Sequence, residues 1–113
     1  MKNTDNFIFW DIILAEYIFS DNSNSKLRPV LVLFKEADDY TVLKITSQSQ
    51  NIDDFTIILE PDSENKIKIT SYLKVKKINS FHEKLFKDKK IGNISEKEKK
   101  ILKSKLSHLF NNL

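Results

Sequence analysis

The amino-acid sequence predicts a mainly β domain of about five mostly antiparallel strands, with a short helix and a C-terminal amphipathic helix packed on the sheet. Runs of β-branched and aromatic residues fill the first two thirds of the chain. The polar segments between these runs are too short for the crossovers that parallel strands need. After Ser95 the apolar residues recur at helical spacing, so the period changes from strand to helix.

The length and composition indicate one small folded unit. A chain of 113 residues suits a single domain, and its 40% hydrophobic and 11% aromatic residues favour a folded core over disorder. The absence of cysteine excludes a disulfide framework, a thiolate metal site and a cysteine nucleophile. The first six residues are too polar for a signal peptide, and no apolar run is long enough to cross a membrane. We therefore expect one cytoplasmic domain over residues 1–113.

The strands are assigned from hydrophobic patterning and the connections from clusters of turn-forming residues. The run from Val30 to Phe34 is continuously apolar, as in a strand buried on both faces, and Pro29 biases Arg28 to an extended backbone. The expected strands are residues 7–19, 30–34, 40–46, 55–60 and 66–78, the last as one long or two broken strands. The expected loops and turns are residues 20–26, 36–39, 47–54 and 61–65.

The C-terminal segment carries the helix signals. Ser95 and Glu98 form a capping box, which predicts a helix beginning there. Apolar residues expected on one face of that helix are Ile101, Leu102, Leu106, Leu109, Phe110 and Leu113. A shorter helix is predicted around Phe81, Leu85 and Phe86, before Gly92, which suits a left-handed cap or a turn.

The charge is distributed unevenly along the chain. Residues 1–65 contain five Lys or Arg and twelve Asp or Glu, a net charge of −7, whereas residues 66–113 contain fourteen Lys and four Asp or Glu, a net charge of +10. A basic half of this kind favours a polyanionic partner, either nucleic acid or an acidic protein segment, and the alternative is a solvated lysine surface. Arg28 is the single arginine, so only this residue can offer a forked guanidinium to a phosphate.

Two catalytic patterns are weighed from the residues alone. Residues 61–66 contain the letters of a PD-(D/E)xK metal-nuclease site, but only Ser63 separates Asp62 from Glu64, so an acidic turn is expected and no metal site. His82 and His108 could form a two-histidine nuclease pair. Both stand where an exposed histidine needs no function, so the pair remains an alternative without a supporting motif.

Four segments in order resemble the MazF/PemK family of toxins from type II toxin–antitoxin modules. They are the polar loop after the first strand, the Arg28-Pro29 opening of an apolar strand, the strand ending Thr46-Ser47, and Ile91-Gly92-Asn93-Ile94-Ser95 before the last helix. The similarity runs from about Asp11 to Phe110. It implies an SH3-like small barrel, a homodimer, and a ribonuclease that cuts single-stranded mRNA without a metal or other cofactor. It also implies a cognate antitoxin that occupies the RNA groove.

The resemblance also implies which residues form the site. Arg28 matches the family's catalytic arginine and Thr46 its catalytic hydroxyl, while Ser47 and Gln48 match loop positions near the substrate. Lys26, at the start of the Arg-Pro segment, is expected to bind substrate as well. Lys74 and Lys76 belong to the basic half and are two residues apart, so alternation predicts that both line one face of a strand and bind phosphates.

Two positions depart from the family pattern. Trp10-Asp11 replaces a Gly-Asp dipeptide, so we expect the tight backbone turn of the glycine to be lost. Lys74-Val75-Lys76 aligns with an Arg-x-Asp pair, so Lys76 stands where a carboxylate is found in some members. The general base is therefore open, and Arg28 handling the protons alone is one possibility.

The physical chemistry agrees with a ribonuclease. Cleavage by attack of the ribose 2′-hydroxyl adds negative charge at phosphorus, which a forked guanidinium stabilises and a threonine hydroxyl can orient. The alternatives are a non-catalytic toxin of the same fold, similar to the gyrase poison CcdB, and an RNA-binding module without turnover. CcdB-like chains end in Trp-Gly-Ile, whereas this chain ends in Asn111-Asn112-Leu113.

Overall fold

The computed structural model describes residues 9–18 and 25–113, without the side chains of residues 17, 18, 25, 26 and 87–89. Six strands, one 3-10 helix (Glu83–Leu85) and one α-helix lie within this part of the chain. The strands are β1 (Asp11–Ile18), β2 (Ser25–Glu36), β3 (Asp39–Thr46), β4 (Thr56–Leu59), β5 (Ser71–His82) and β6 (Phe86–Asn93), and the helix is α1 (Glu96–Asn111). The predicted mainly β architecture with a C-terminal helix is confirmed.

The strands form one curled, half-barrel sheet in the order β4-β5-β3-β2-β1-β6. Every neighbouring pair is antiparallel, as the short connections predict. The two strands at the edges of the sheet are β4 and β6.

Alternation along the strands creates a core on each face of the sheet. The first cluster lies under α1 and includes Leu31, Leu43, Ile45 and Leu73 from the sheet and Leu102 from the helix. The second cluster lies on the opposite face, which is called the inner face below. Its members are Ile13, Ala15, Val30, Val32, Tyr40, Val42 and Phe86. Val30, Leu31 and Val32 are all buried, so the prediction of a strand covered on both faces is correct for these residues, but Leu33 is half-buried and Phe34 is 49% exposed.

The capping box at the start of α1 is confirmed. The Ser95 hydroxyl accepts the Glu98 N–H at 3.2 Å, and the Glu98 carboxylate accepts the Ser95 N–H at 3.0 Å. The predicted apolar face is only partly buried: Leu102 is fully covered, whereas Phe110 is 54% and Leu113 95% exposed. The helix therefore contacts the sheet through a narrower stripe than its sequence pattern predicts.

The prediction of a helix around residues 81–86 is wrong apart from the 3-10 turn. β5 continues to His82, and Phe86 begins a sixth strand that pairs with β1. Phe86 is drawn into the second cluster, where its ring packs edge-on against Tyr40 with centroids 4.9 Å apart. Tertiary burial of this phenylalanine outweighs the local helical spacing.

Gly92 is neither a cap nor a turn residue, because it lies within β6 at a negative φ. A Cβ at this position would meet the carbonyl oxygens of Glu64 and Asn65, the latter at 2.6 Å. Gly92 is thus required for the close approach of the 61–65 turn to β6. The Asn93 N–H donates to the Glu64 carbonyl at 3.0 Å across this contact.

The turn expected at residues 61–65 is confirmed, and residues that match the PD-(D/E)xK pattern form hydrogen bonds within this turn. The Asp62 carboxylate accepts the N–H groups of Glu64 and Asn65 at 2.9 and 2.7 Å. The fully buried Asn65 side chain bridges Asp62, Ile67 and the Glu60 carbonyl. This hydrogen bonding continues beyond the turn, so the strand expected from residue 66 begins only at Ser71.

The predicted ends of the first two strands need correction. β1 begins at Asp11, and residues 7–8 and 19 of the predicted strand lie outside the described residues, as do residues 20–24 of the predicted loop. Ser25 and Lys26 belong to β2 and not to that loop.

Trp10 has a positive φ of 77°, so the expectation that the tight backbone turn is lost without glycine is wrong. Its N–H donates to the Val32 carbonyl of β2 at 2.8 Å, and this contact with another strand holds the conformation.

No helix within residues 9–18 and 25–113 combines the length and apolar character that a membrane crossing requires.

Candidate functional site

An open groove of about 440 Å³ lies on the inner face of the sheet, between β3, β5 and the connection from residue 47 to residue 55. This connection is called the groove loop below. The groove is polar and positive, because four lysines and one aspartate line it. Its lining residues are Lys44, Thr46, Gln48, Gln50, Asn51, Asp53, Phe55, Thr56, Lys74, Lys76 and Lys77.

Strand alternation brings β3 side chains to the groove. Leu43 and Ile45 point into the first cluster, so Lys44 and Thr46 between and after them point to the inner face. Lys44 pairs with Lys74 of β5. The groove therefore continues the inner face beyond the end of the second cluster, where the apolar side chains stop.

A bulge in β5 brings two adjacent lysines into the groove. Leu43 pairs with Ile78 and the next residue, Lys44, pairs with Lys74, so residues 75–77 have no partner in the β3 register. A regular strand would send Lys76 and Lys77 to opposite faces, but both line the groove. Alternation in the sequence predicts that Lys74 and Lys76 share a face, but it does not predict Lys77 on that face.

Lys74 fastens the groove loop to the sheet. Its ammonium donates to the carbonyl oxygens of Gln50 at 3.1 Å and Asn51 at 2.9 Å, with the Thr56 hydroxyl at 3.5 Å. Asn51 has a positive φ of 60°, which turns its carbonyl within the loop. Lys74 is thus half-buried beneath backbone it holds in place.

Lys76 holds the same loop through Asp53. Their ammonium and carboxylate are 2.8 Å apart, and the ammonium also lies 5.4 Å from the centre of the Phe55 ring. The hydrogen bond from Lys76, followed by that from the Phe55 N–H, lowers the pKa of the exposed Asp53 carboxyl. Asp53 is accordingly an ionised partner of Lys76 through the neutral pH range.

Helix α1 supports the far side of the loop. Lys105 donates to the Asp54 carbonyl oxygen, and the His108 ring stacks on Phe55 with centroids 5.8 Å apart. His82 is elsewhere, at the end of β5, where its Nδ1 accepts the Lys84 N–H at 3.1 Å. Neither histidine lines the groove, so the structure gives each a local contact and does not form the two-histidine site.

Thr46 lines the groove where β3 ends and the groove loop begins. Its hydroxyl oxygen accepts the Gln48 N–H at 3.1 Å, which orients the side chain and leaves the hydroxyl hydrogen able to donate. Gln48 lines the groove beside it, whereas Ser47 does not. The predicted residues Thr46, Gln48, Lys74 and Lys76 are therefore together.

Arg28 lies one strand further across the sheet. Val30 of β2 pairs with Lys44 and is the last residue of β2 to pair with β3 in this direction; Arg28 lies two residues beyond Val30, as Thr46 lies two beyond Lys44. Arg28 pairs on its other side with Ala15, a member of the inner-face cluster, so its side chain shares the face of the groove. The half-buried Arg28 flanks the groove without lining it. The Lys26 side chain lies outside the described part of the structure.

Sequence reasoning missed several lining residues. Lys44 is two residues before Thr46, so alternation alone could have found it. Gln50, Asn51 and Phe55 enter through the folding of the groove loop, which carries no period. Across residues 9–18 and 25–113 no three His, Cys, Asp or Glu side chains are grouped in a way that could hold a metal ion.

The chain is similar to known proteins in both sequence and structure. A family model described as "PemK-like, MazF-like toxin of type II toxin–antitoxin system" matches residues 9–110. The comparison with functionally curated proteins gave no match.

Solved structures share the fold at low sequence identity. The toxin MazF-mt6 of Mycobacterium tuberculosis has a TM-score of 0.70 at 19% identity, over 89% of this chain and 96% of its own. An endoribonuclease in complex with its cognate antitoxin, from a mycobacterial species, has a TM-score of 0.70 at 11% identity, over 93% and 95%. A further mycobacterial endoribonuclease gives 0.67 at 12% identity, over 94% and 93%. At these identities the likeness establishes the fold.

Proposed function

The chain belongs to the family of PemK-like, MazF-like toxins of type II toxin–antitoxin systems, and from this membership we propose that it is a metal-independent endoribonuclease cleaving single-stranded mRNA in the cytoplasm. The observation that carries the proposal is the Thr46 hydroxyl in a lysine-lined groove, with Arg28 on the same face of the neighbouring strand β2. Two of the three structural relatives above are described as endoribonucleases, which supports this activity.

The reaction proposed is an internal displacement at phosphorus. The ribose 2′-oxygen attacks its own phosphate and loses its proton, the bond from phosphorus to the 5′-oxygen breaks, and that oxygen gains a proton. The products are a 2′,3′-cyclic phosphate and a 5′-hydroxyl. Negative charge grows on the phosphate oxygens during attack, so the enzyme must supply donors and positive charge there.

Arg28 and Thr46 are proposed as the catalytic residues. The Arg28 guanidinium can bond two phosphate oxygens at once, and the Thr46 hydroxyl can donate to one of them while Gln48 fixes its orientation. Lys26, Ser47, Gln48, Lys74 and Lys76 are proposed to bind the flanking nucleotides. The groove lining, four lysines and one aspartate, carries +3 and so favours a phosphate chain.

The proposal assigns the proton of the 2′-hydroxyl to water. Asp53 is the carboxylate that lines the groove, but its lowered pKa makes it a weak base at neutral pH. The Arg28 guanidinium stays protonated and only donates hydrogen bonds, so the proposal leaves the 2′-hydroxyl proton to water. A slow enzyme is expected on this account.

The partners proposed are a homodimeric copy of the chain and a cognate antitoxin. An acidic antitoxin segment would be attracted by the same lysines that attract RNA, so the two should compete. One structural relative is described as being in complex with its cognate antitoxin, which supports this partner.

The test is cleavage of a mixed-sequence single-stranded RNA by purified protein in excess EDTA, with product ends identified by mass spectrometry. We expect cyclic phosphate ends from the wild type and a loss of about 100-fold or more in rate for Arg28→Lys, because a point charge cannot fork across two oxygens. Lys100→Ala, on the exposed face of α1, is the matched control and should cleave normally.

Intact RNA, or activity that needs added divalent metal, would refute the proposed chemistry. RNA binding without cleavage would favour a binding module, and inhibition of gyrase without RNA cleavage would favour a CcdB-like toxin. An Arg28→Lys enzyme as fast as wild type, with an unchanged circular dichroism spectrum, would move the chemistry to other residues.

A further inference from the structure

A row of three side chains crosses the sheet beside the groove. Tyr72 of β5 pairs with Thr46 of β3 on one side and with Ile58 of β4 on the other. Cross-strand partners in an antiparallel sheet point to the same face, so all three stand on the face of the groove. Since neighbouring strands are about 4.8 Å apart, Tyr72 is one strand and Ile58 two strands from Thr46.

Tyr72 differs from a tyrosine that serves the core. Tyr40 is fully buried and packs its ring on Phe86. Tyr72 is half-buried, and within the part of the chain that the structure describes its side chain makes no hydrogen bond or ring contact. Ile58 beside it is 50% exposed. An aromatic ring and an aliphatic side chain are therefore left at the surface, next to a cationic groove.

This arrangement fits one part of a single-stranded RNA. The lysines of the groove suit the phosphate backbone, and an aromatic face beside them suits an unpaired base, which stacks on it whatever its identity. β4 is an edge strand, so the row opens to solvent and a base can enter sideways. The distance of one strand from Thr46 to Tyr72 is comparable to the reach from a phosphate to the base of its own nucleotide.

We infer that Tyr72 positions the substrate by stacking a nucleobase next to the phosphate that Arg28 and Thr46 bind, with Ile58 as the apolar flank of the stacking surface. The inference rests on the proposed function. It adds a contact to the base, whereas the lysines and Arg28 contact phosphate, and this stacking contact does not by itself select one base over another.

The experiment measures affinity for an RNA oligonucleotide with 2′-O-methyl groups, which lacks the nucleophile and so stays intact. Fluorescence anisotropy should give about 5- to 150-fold weaker binding for Tyr72→Leu, with Tyr72→Phe close to wild type because the ring is retained. The slope of affinity against salt should not change, because no phosphate contact is removed. Phe110→Leu, an exposed aromatic on α1, is the matched control and should bind normally.

A scan of abasic nucleotides through the same oligonucleotide identifies the stacked base. At one position, removal of the base should weaken wild-type binding as much as Tyr72→Leu does, and the two changes together should cost no more than either alone. A purely structural role for Tyr72 would give additive losses at every position. If Tyr72→Leu fails to fold, Ile58→Ser at an exposed site is the second variant. It should weaken binding several-fold.

The outcomes separate the inference from the proposed function. Wild-type cleavage together with unchanged affinity of Tyr72→Leu, or with additive losses throughout the scan, overturns the inference and leaves the ribonuclease standing. A wild type that neither binds nor cleaves RNA overturns both.

Discussion

Replacing Lys74 with methionine tests whether the groove loop depends on this lysine. Methionine keeps an unbranched side chain and removes the ammonium that donates to the Gln50 and Asn51 carbonyl oxygens at 3.1 and 2.9 Å. The loop would keep its other supports, which are the Lys76–Asp53 ion pair and the Lys105 hydrogen bond to Asp54. The expected result is a loop that opens more often without unfolding of the sheet.

The size of the effect follows from the two lost hydrogen bonds. Hydrogen bonds from a charged donor contribute roughly 1.5 to 3 kcal/mol when buried, but these carbonyls gain water when the loop opens. About 1 kcal/mol for each bond is therefore appropriate, or about 2 kcal/mol in total. That corresponds to an open population about 30-fold larger.

Amide hydrogen exchange measures this population directly. The Val75 N–H of β5 donates to the Phe55 carbonyl of the groove loop at 2.9 Å, so this amide is protected while the loop is packed on β5. We expect its exchange to be about 30-fold faster in Lys74→Met. Lys77→Met is the matched control, since this exposed neighbouring lysine lines the groove without a hydrogen bond to the loop among the described residues.

Equal exchange of the Val75 amide in wild type and Lys74→Met would refute the reasoning, as would an equal effect of Lys77→Met. The same variants test phosphate contact by Lys74. Removing a lysine that neutralises an RNA phosphate reduces the magnitude of the slope of log affinity against log salt by about 0.7. Removing a lysine that only anchors the loop weakens binding and leaves the slope unchanged. The proposal that Lys74 binds substrate requires the smaller slope.

Gly92 and Asp53 provide two further tests. Gly92→Ala should destabilise the protein by about 3 kcal/mol or more in urea unfolding, because the new Cβ would collide with the backbone carbonyls of Glu64 and Asn65; wild-type stability would contradict this. Asp53 has a pKa lowered from 3.8 mainly by Lys76, so its stabilisation is complete at neutral pH and is lost as the pH falls below about 4. The urea midpoint of wild type should therefore exceed that of Asp53→Asn at pH 7 and converge with it in acid, and a constant difference would show that the ion pair does not titrate.

Local patterns in the sequence predicted much of the fold. The apolar run at residues 30–34, the capping box of Ser95 and Glu98, and the turn around Asp62 all depend on residues within about five positions of one another. The same holds for Thr46, whose position at the end of a strand was evident from the polar residues that follow it. Such features form wherever the local residues favour them, so one sequence suffices to find them.

The errors arose where a distant segment decides the local structure. Residues 81–86 have helical spacing, but Phe86 is buried against Tyr40, more than forty positions earlier, and so begins a strand. Trp10 adopts a left-handed backbone because Val32 holds its N–H. In each case a tertiary contact outweighs the preference of the chain itself.

The sequence by itself determined that this chain is a small, mainly β domain with a basic second half, a single arginine before a buried apolar run, and a hydroxyl at a strand end. Only the tertiary structure decided that Lys76 and Lys77 share a groove with Lys44 and that Lys74 holds the groove loop. The reason is that a strand's register and its bulges depend on pairing with another strand. Alternation along one strand tells which residues share a face only until a bulge resets it, and here the β5 bulge lies within the site.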